Sequence, residues 1–175
     1  QKSARSVEVT FPAQPISIMA WHVPAMSAPD YPALDLGLYV LCESDTSRTE
    51  QEVVRAAGLA AEVGGLVGLP GDRYPSLAVV YGIPNADVSL DALEGAILGS
   101  LRRLIESGPT DAELAAASAN RRANLIRALA SNEDCAAVLT EWQSKTGDWR
   151  NAIRRTEAYA EITAEDVQKA KATYF

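Results

Sequence analysis

The sequence predicts an α+β domain in which a mostly antiparallel sheet carries helices on one face. Three observations lead to this fold class. Four short apolar segments lie in the first half of the chain, the second half repeats apolar residues at helical spacing, and turn or capping residues separate these segments. Strands followed by a run of helices are typical of α+β domains. A chain of 175 residues is long enough for one domain with its own core.

Four segments are predicted to be strands. They are apolar, the first two are rich in β-branched residues, and turn-forming residues separate the members of each pair. The segments are residues 6–11, 16–22, 60–67 and 77–83. A Pro-containing turn joins the first two, and Pro70-Gly71-Asp72 marks the connection between the last two. The chain is therefore expected to enter the sheet at residue 6.

Helices are predicted where apolar residues recur every three or four positions. The predicted helices cover residues 31–43, 47–57, 90–105, 132–144 and 148–160, and two more begin after Thr110 and Thr163. Thr110 with Glu113, and Thr163 with Asp166, have the spacing of capping boxes, in which hydroxyl and carboxylate satisfy free amide donors. Ser89 is the predicted N-cap of the helix that Gly108 ends.

The composition excludes several classes of protein. Hydrophobic residues make up 47% of the chain and charged residues 22%, as in ordinary globular domains. The formal net charge of −7 repels phosphate backbones, so nucleic acid is not an expected partner. No apolar run reaches the roughly 20 residues of a membrane span. Three Arg pairs in helical patterns are interpreted as solvated faces: Arg102-Arg103, Arg121-Arg122 and Arg154-Arg155.

The chain has too few ligating or nucleophilic residues for a catalytic centre of its own. A catalytic zinc needs about three protein ligands, and His22, the single histidine, is expected to be a surface or structural residue. No serine stands in a Gly-x-Ser-x-Gly motif. Cys42 and Cys135 are expected to be buried free thiols. Trp142 and Trp149 are expected to pack in the core, with contact to a substrate or partner as the alternative.

Short motifs occur in a fixed order along nearly the whole chain. The first ones are Trp21–Ala25, Pro29–Leu34 and Thr46–Arg48, followed by the turn Ser107–Thr110 with Glu113-Leu114. The later ones are Ala130–Ala136, Thr146–Arg150 and Ile162–Val167. In combination they resemble the C-terminal, non-zinc-binding domain of bacterial zinc proteases of the insulinase/pitrilysin family.

The resemblance implies a clamshell domain of the LuxS and processing-peptidase type, one of two related halves. In such enzymes one half holds zinc through an inverted His-x-x-Glu-His motif and a distal Glu, and that motif is absent here. Residues 1–175 are then one domain of a longer chain. This domain would enclose the peptide substrates of a zinc-dependent metalloendopeptidase and would be inactive alone. The implied partner is an N-terminal zinc-binding domain or a companion subunit, and zinc belongs to that partner.

The resemblance supplies one candidate site residue. Some C-terminal domains of this family contribute an Arg and a Tyr that bind the substrate carbonyl, and Arg127 lies near the expected position of the Arg. No tyrosine occurs between Tyr81 and Tyr159, so a surface Arg is the favoured interpretation of Arg127, and the substrate contact is the alternative. No catalytic residue and no metal ligand are predicted.

Two other functions remain open at this point. The parent protein could be a non-catalytic partner subunit, as the resemblance to processing-peptidase subunits allows, or the chain could be a free-standing peptide-binding module. The family resemblance also implies export to a bacterial periplasm.

Overall fold

The computed structural model describes residues 4–175, which form one sheet and a layer of helices. The strands are β1 (Ser17–Val23), β2 (Ala60–Leu69) and β3 (Ser76–Pro84). The α-helices are α1 (Tyr31–Cys42), α2 (Leu90–Ser107), α3 (Asp111–Ala128), α4 (Asn132–Thr146), α5 (Asn151–Glu161) and α6 (Ala164–Tyr174). A π-helix spans Glu50–Ala56, where the sequence predicts an ordinary helix.

The three strands form an antiparallel sheet in the order β1-β3-β2. In the register, Val80 of β3 lies between Met19 of β1 and Gly65 of β2. These residues share the face that the helices cover, since Val80 is fully buried and the Cα of Gly65 lies close to the Cys42 sulfur of α1. The predicted α+β fold class, with helices on one face of an antiparallel sheet, is confirmed.

Helix α1 lies at the centre of the helical layer. Leu34, Leu36, Leu38 and Leu41 are all inaccessible to solvent, and α1 contacts the sheet as well as α2, α3, α5 and α6. Burying one such side chain contributes about 1.5–3 kcal/mol. Because α1 is enclosed on nearly every side, its one charged residue, Asp35, lies within the helical layer instead of at its surface.

The predicted caps are present. The Ser89 hydroxyl accepts a hydrogen bond from the Ala92 amide at the start of α2. Thr110 and Thr163 each form a complete capping box, with Glu113 and Asp166 respectively. These motifs were readable from the sequence because the groups involved lie within four residues of one another.

The prediction of a strand at residues 6–11 is wrong. Residues 4–15 form no strand, and Val7, Val9 and Phe11 are 84%, 80% and 75% exposed. Their alternation suits a strand, but alternation stabilises a strand only where one face meets a core. These side chains meet none, so the sheet begins at Ser17.

Candidate functional site

The face of the sheet turned away from the helices is apolar. It presents Ile18 and Ala20 of β1, Val79 of β3, and Leu66 and Leu69 of β2. Ile18, Leu66 and Leu69 are 63%, 41% and 44% exposed, whereas Val79, on the central strand, is buried. We call this surface, formed by the five residues, the open sheet face.

A sheet that borders water on one face usually carries polar side chains there. The open sheet face instead carries aliphatic side chains at its centre. Its polar residues lie at the two ends: His22 is exposed at one end, and at the other the Tyr81 hydroxyl donates a 2.6 Å hydrogen bond to Glu62. A contiguous apolar surface of this kind is typical of a protein interaction site.

A second feature lies inside the helical layer, where α1 meets α3 and α5. The Arg121 guanidinium of α3 donates to both carboxylate oxygens of Asp35, at 3.0 and 2.8 Å, and to Glu43 at 2.7 Å. The Tyr159 hydroxyl of α5 also donates to Asp35. We call these four residues the buried charge cluster.

Burial and charge shift the titration of this cluster. Burial raises the pKa of Glu43 above its ordinary value, although Arg121 acts in the opposite direction. Burial works against the charge on Arg121, but Asp35 and Glu43 together raise the pKa of Arg121. Burial, and then the Asp35 carboxylate, raise the pKa of Tyr159. The cluster is an internal structural network with little solvent access.

Lys171 of α6 lies near this cluster and is completely buried. Its ammonium group donates no hydrogen bond to any of residues 4–175 and lies 4.0 Å from the centroid of the Phe175 ring. Burial lowers the pKa of Lys171 from 10.5 to about 8. Gly37 makes room for it, since a Cβ there would come within 2.6 Å of the Lys171 Cε.

The interpretation of the Arg pairs as solvated faces is wrong for two of their members. Arg121 belongs to the buried charge cluster, and Arg155 is half-buried between the rings of Tyr31 and Trp142, at 5.1 and 5.4 Å. Periodicity alone could not identify them, because their carboxylate and aromatic partners lie on other helices.

Two of the sequence motifs, Thr46–Arg48 and Glu113-Leu114, meet in one ion pair. Arg48 donates to both carboxylate oxygens of Glu113 at 2.8 and 2.9 Å and to the Gly108 carbonyl at 2.8 Å. Glu113 also closes the capping box of α3. The hydrogen bond from Arg48 is the main reason that the pKa of Glu113 falls to about 2. This bidentate contact ties the loop after α1 to the turn between α2 and α3.

The residues singled out in the sequence do not come together. Arg127 lies exposed in the last turn of α3, where it donates to the Asn124 side chain. His22 is exposed on β1. Trp142 is half-buried and Trp149 is 37% exposed, so neither lies fully within the core. Cys42 is a buried free thiol, and Cys135 is free but only half-buried.

The donor set does not fit a metal. Within residues 4–175, no three His, Cys, Asp or Glu side chains are grouped so that they could hold an ion. The same residues contain no helix that is long and apolar enough to cross a membrane.

Comparison with known proteins agrees with the fold. The family model of the peptidase M16 inactive domain matches residues 1–121. No curated protein sequence matches the chain.

Three solved structures are similar to it. A zinc protease candidate from Bordetella pertussis is 25% identical, with a TM-score of 0.79, covering 94% of this chain and 89% of the other. The inactive peptidase domain of a Bordetella parapertussis protein is 24% identical, with a TM-score of 0.81, covering 96% and 88%. A protease from Helicobacter pylori is 23% identical, with a TM-score of 0.81, covering 91% of this chain but 38% of the other.

Inactive domains of this family are usually paired with another M16 domain or subunit. The match covers more than half of the chain, and the insulinase/pitrilysin resemblance is confirmed. This chain belongs to the peptidase M16 inactive domain family and is a non-catalytic domain of an M16 peptidase.

Proposed function

We propose that this domain forms the non-catalytic wall of a two-half zinc-dependent metalloendopeptidase and encloses peptide substrates together with a zinc-bearing half. The observation that carries the proposal is the open sheet face. Its aliphatic side chains favour a second protein layer, because covering them removes apolar surface from water. The zinc-bearing half would be an N-terminal domain of the same parent chain or a companion subunit.

The division of labour follows from the chemistry of the two halves. Zinc and the water that it activates would belong to the partner, since this chain has no suitable ligand group within residues 4–175. This domain would restrict access and position the peptide. The alternative is that the parent protein is a non-catalytic partner subunit. A His-x-x-Glu-His motif in the parent protein would favour the enzyme, and the motif in a neighbouring subunit alone would favour the partner role.

Reconstitution tests the proposal. The domain alone, the zinc-bearing half alone and the two mixed are compared for bound zinc and for cleavage of a fluorogenic peptide. We expect cleavage to require the zinc-bearing half and to increase when this domain is added. Zinc bound by the isolated domain, or no effect of the domain on cleavage, would contradict the proposal.

Paired variants test the surface. Ile18→Lys with Leu66→Lys changes the open sheet face, and Ile126→Lys with Ile153→Lys changes exposed apolar residues on α3 and α5. All four side chains are at least 41% exposed, so both variants should fold. We expect association with the zinc-bearing half to weaken only in the first variant. A loss confined to the second variant would place the partner on the helices.

Arg127 is proposed as a substrate contact on the basis of the family resemblance and its exposure. Arg127→Ala in the reconstituted enzyme is expected to raise KM for peptide, whereas Arg122→Ala, an exposed neighbour on the same helix, leaves KM unchanged. Equal kinetics in the two variants would remove Arg127 from the site. Export to a bacterial periplasm remains a prediction of the resemblance.

A further inference from the structure

A solvent-exposed groove of about 730 Å³ lies in the helical layer, between α3 on one side and α5 with the start of α6 on the other. Most of its lining is apolar, and Ala115, Ala119 and Ala160 are exposed within it. Because these side chains are short, another helix has room to approach to the interaxial distance of packed helices, about 8–10 Å. The shape of the groove therefore suits a helix.

Two charged residues of α3 line the groove, Asp111 in the first turn and Arg122 three turns later. Both are exposed, and neither forms an ion pair with any of residues 4–175. Along the helix axis they are separated by about 16 Å, at 1.5 Å per residue. A helix that satisfies both charges carries a cation opposite Asp111 and an anion opposite Arg122, at the same separation.

A second α3 in the antiparallel direction meets this requirement. In a two-fold dimer, contact of one residue with another implies the reciprocal contact. When Asp111 faces Arg122 of the copy, Arg122 faces Asp111 of the copy. In the same register, Ala115 lies opposite Ser118 of the copy next to the two-fold axis, where both side chains are small. The charges of α3 are thus complementary to their own reversed order.

The apolar residues at the ends of the groove fit the same register. The Gln168 side chain of α6 donates hydrogen bonds to two carbonyls in the last turn of α2, just before the turn that leads into α3. Ile162 and Ala164, at the junction of α5 and α6, therefore lie at the end of the groove near the start of α3. Ile126, which is 59% exposed, lies at the other end. An antiparallel copy brings its Ile126 next to Ile162.

We propose that the groove between α3 and α5 binds α3 of a second copy of this chain, in a two-fold dimer with two reciprocal Asp111–Arg122 ion pairs. The dimer goes beyond the proposed function, because the groove belongs to the helical layer and the open sheet face stays free for the zinc-bearing half. Exposed ion pairs contribute little individually, so we expect association in concentrated protein and a monomer in dilute solution.

Charge reversal with analytical ultracentrifugation tests the pairing. Asp111→Arg and Arg122→Asp should each weaken self-association at least about tenfold, because both symmetric contacts become repulsive. An equal mixture of the two variants should associate as the native chain does, since each new Arg then faces a new Asp. Recovery in the mixture would also exclude misfolding as the cause of the loss.

Matched controls lie outside the groove. Glu133→Arg changes an exposed acidic residue in the first turn of α4, and Arg102→Asp changes an exposed basic residue of α2. Both should leave self-association unchanged. Ile126→Lys should weaken self-association about tenfold, because apolar contact is replaced by a charge that must be desolvated.

A sedimentation coefficient that stays at the value of a monomer in concentrated protein would overturn the inference. Native self-association in both single variants, or no recovery in their mixture, would do so as well. Weaker binding of the zinc-bearing half by the charge variants would assign the groove to that partner instead of a second copy. Failure of the proposed function is observed separately, in the cleavage assay.

Discussion

At the scale of single residues, the buried charge cluster and Lys171 place ionisable groups inside the helical layer, where substitutions are expected to change the free energy of unfolding. Arg121 neutralises part of the charge of Asp35 and Glu43 inside the helical layer. Removing one partner of a buried ion pair leaves the other charge uncompensated in a medium of low polarity, which costs more than the pair itself contributes. Residues that are neighbours in the sequence can therefore differ greatly in their contribution to the free energy of unfolding.

Arg121→Met is expected to lower the free energy of unfolding by about 3–5 kcal/mol, because two buried carboxylates lose their cation. Arg122→Met, the matched control, removes an exposed side chain and should change it by less than about 0.5 kcal/mol. Urea denaturation at neutral pH measures both. Equal losses would contradict the assignment of Arg121 to the cluster.

Lys171→Met is expected to make the free energy of unfolding less dependent on pH in the alkaline range. The folded-state pKa of Lys171 is lowered from 10.5 to about 8, so the unfolded state binds more protons between these values. The contribution of Lys171 to stability is fully present above about pH 10.5 and is lost as the pH falls through 8.

At pH 7.5 the native chain carries the cost of its buried ammonium group, so Lys171→Met should have the higher free energy of unfolding. This difference should shrink between pH 7.5 and pH 10.5, by up to about 3 kcal/mol. Denaturation of both proteins across this range provides the measurement. Comparing the two removes most of the background from other buried groups, including Cys42, whose pKa burial raises to about 12. A constant difference would contradict the effect of burial on Lys171.

At the scale of elements, local chemistry sets the helix ends and tertiary contacts set the strands. The capping boxes at Thr110 and Thr163 are complete within one helical turn, so the sequence predicts them correctly. The alternation at residues 6–11 is equally clear, but a strand needs a neighbour and a covered face. Neither requirement is visible in a local pattern.

Glu113→Gln is expected to destabilise the α2–α3 turn at neutral pH, since Glu113 serves both Arg48 and the capping box. In the native chain the lowered pKa of Glu113 gives stability that is present above pH 4.5 and is lost as the pH falls towards 2. The variant should lack that part of the acid dependence.

Acid titration of thermal stability checks this expectation. Glu165→Gln, which changes an exposed residue in the first turn of α6, is the control and should retain the native acid profile. A native profile in Glu113→Gln would show that the link to Arg48 contributes little.

At the scale of the whole molecule, one face of the sheet is packed and the other is open. The packed face unites α1, α2 and α6 around β1, β3 and β2 in a single core. The open sheet face leaves Ile18, Leu66 and Leu69 exposed.

Deletion of residues 1–10 is expected to change the free energy of unfolding by less than about 0.5 kcal/mol, because Val7 and Val9 bury little surface. Ile97→Ala, which truncates a core side chain of α2, should cost about 2–5 kcal/mol as the reference. Denaturation curves compare the two. A large loss on deletion would mean that residues 4–10 pair with the sheet in solution.

The sequence by itself determined the α+β class, most element positions, the caps and the kinship with the family. These features depend on periodicity and on groups that are close along the chain, or on motifs in a fixed order. It also showed that His22 is the chain's single histidine, which limits the metal chemistry available.

Only the tertiary structure decided where Arg121 and Lys171 lie, which face of the sheet stays open, and that residues 6–11 remain outside it. Asp35 meets Arg121 across 86 positions of the chain, and Tyr159 across 124. Burial is a property of packing, and packing depends on which surfaces meet after the chain has folded. Charge, exposure and edge pairing therefore cannot be inferred from local pattern alone.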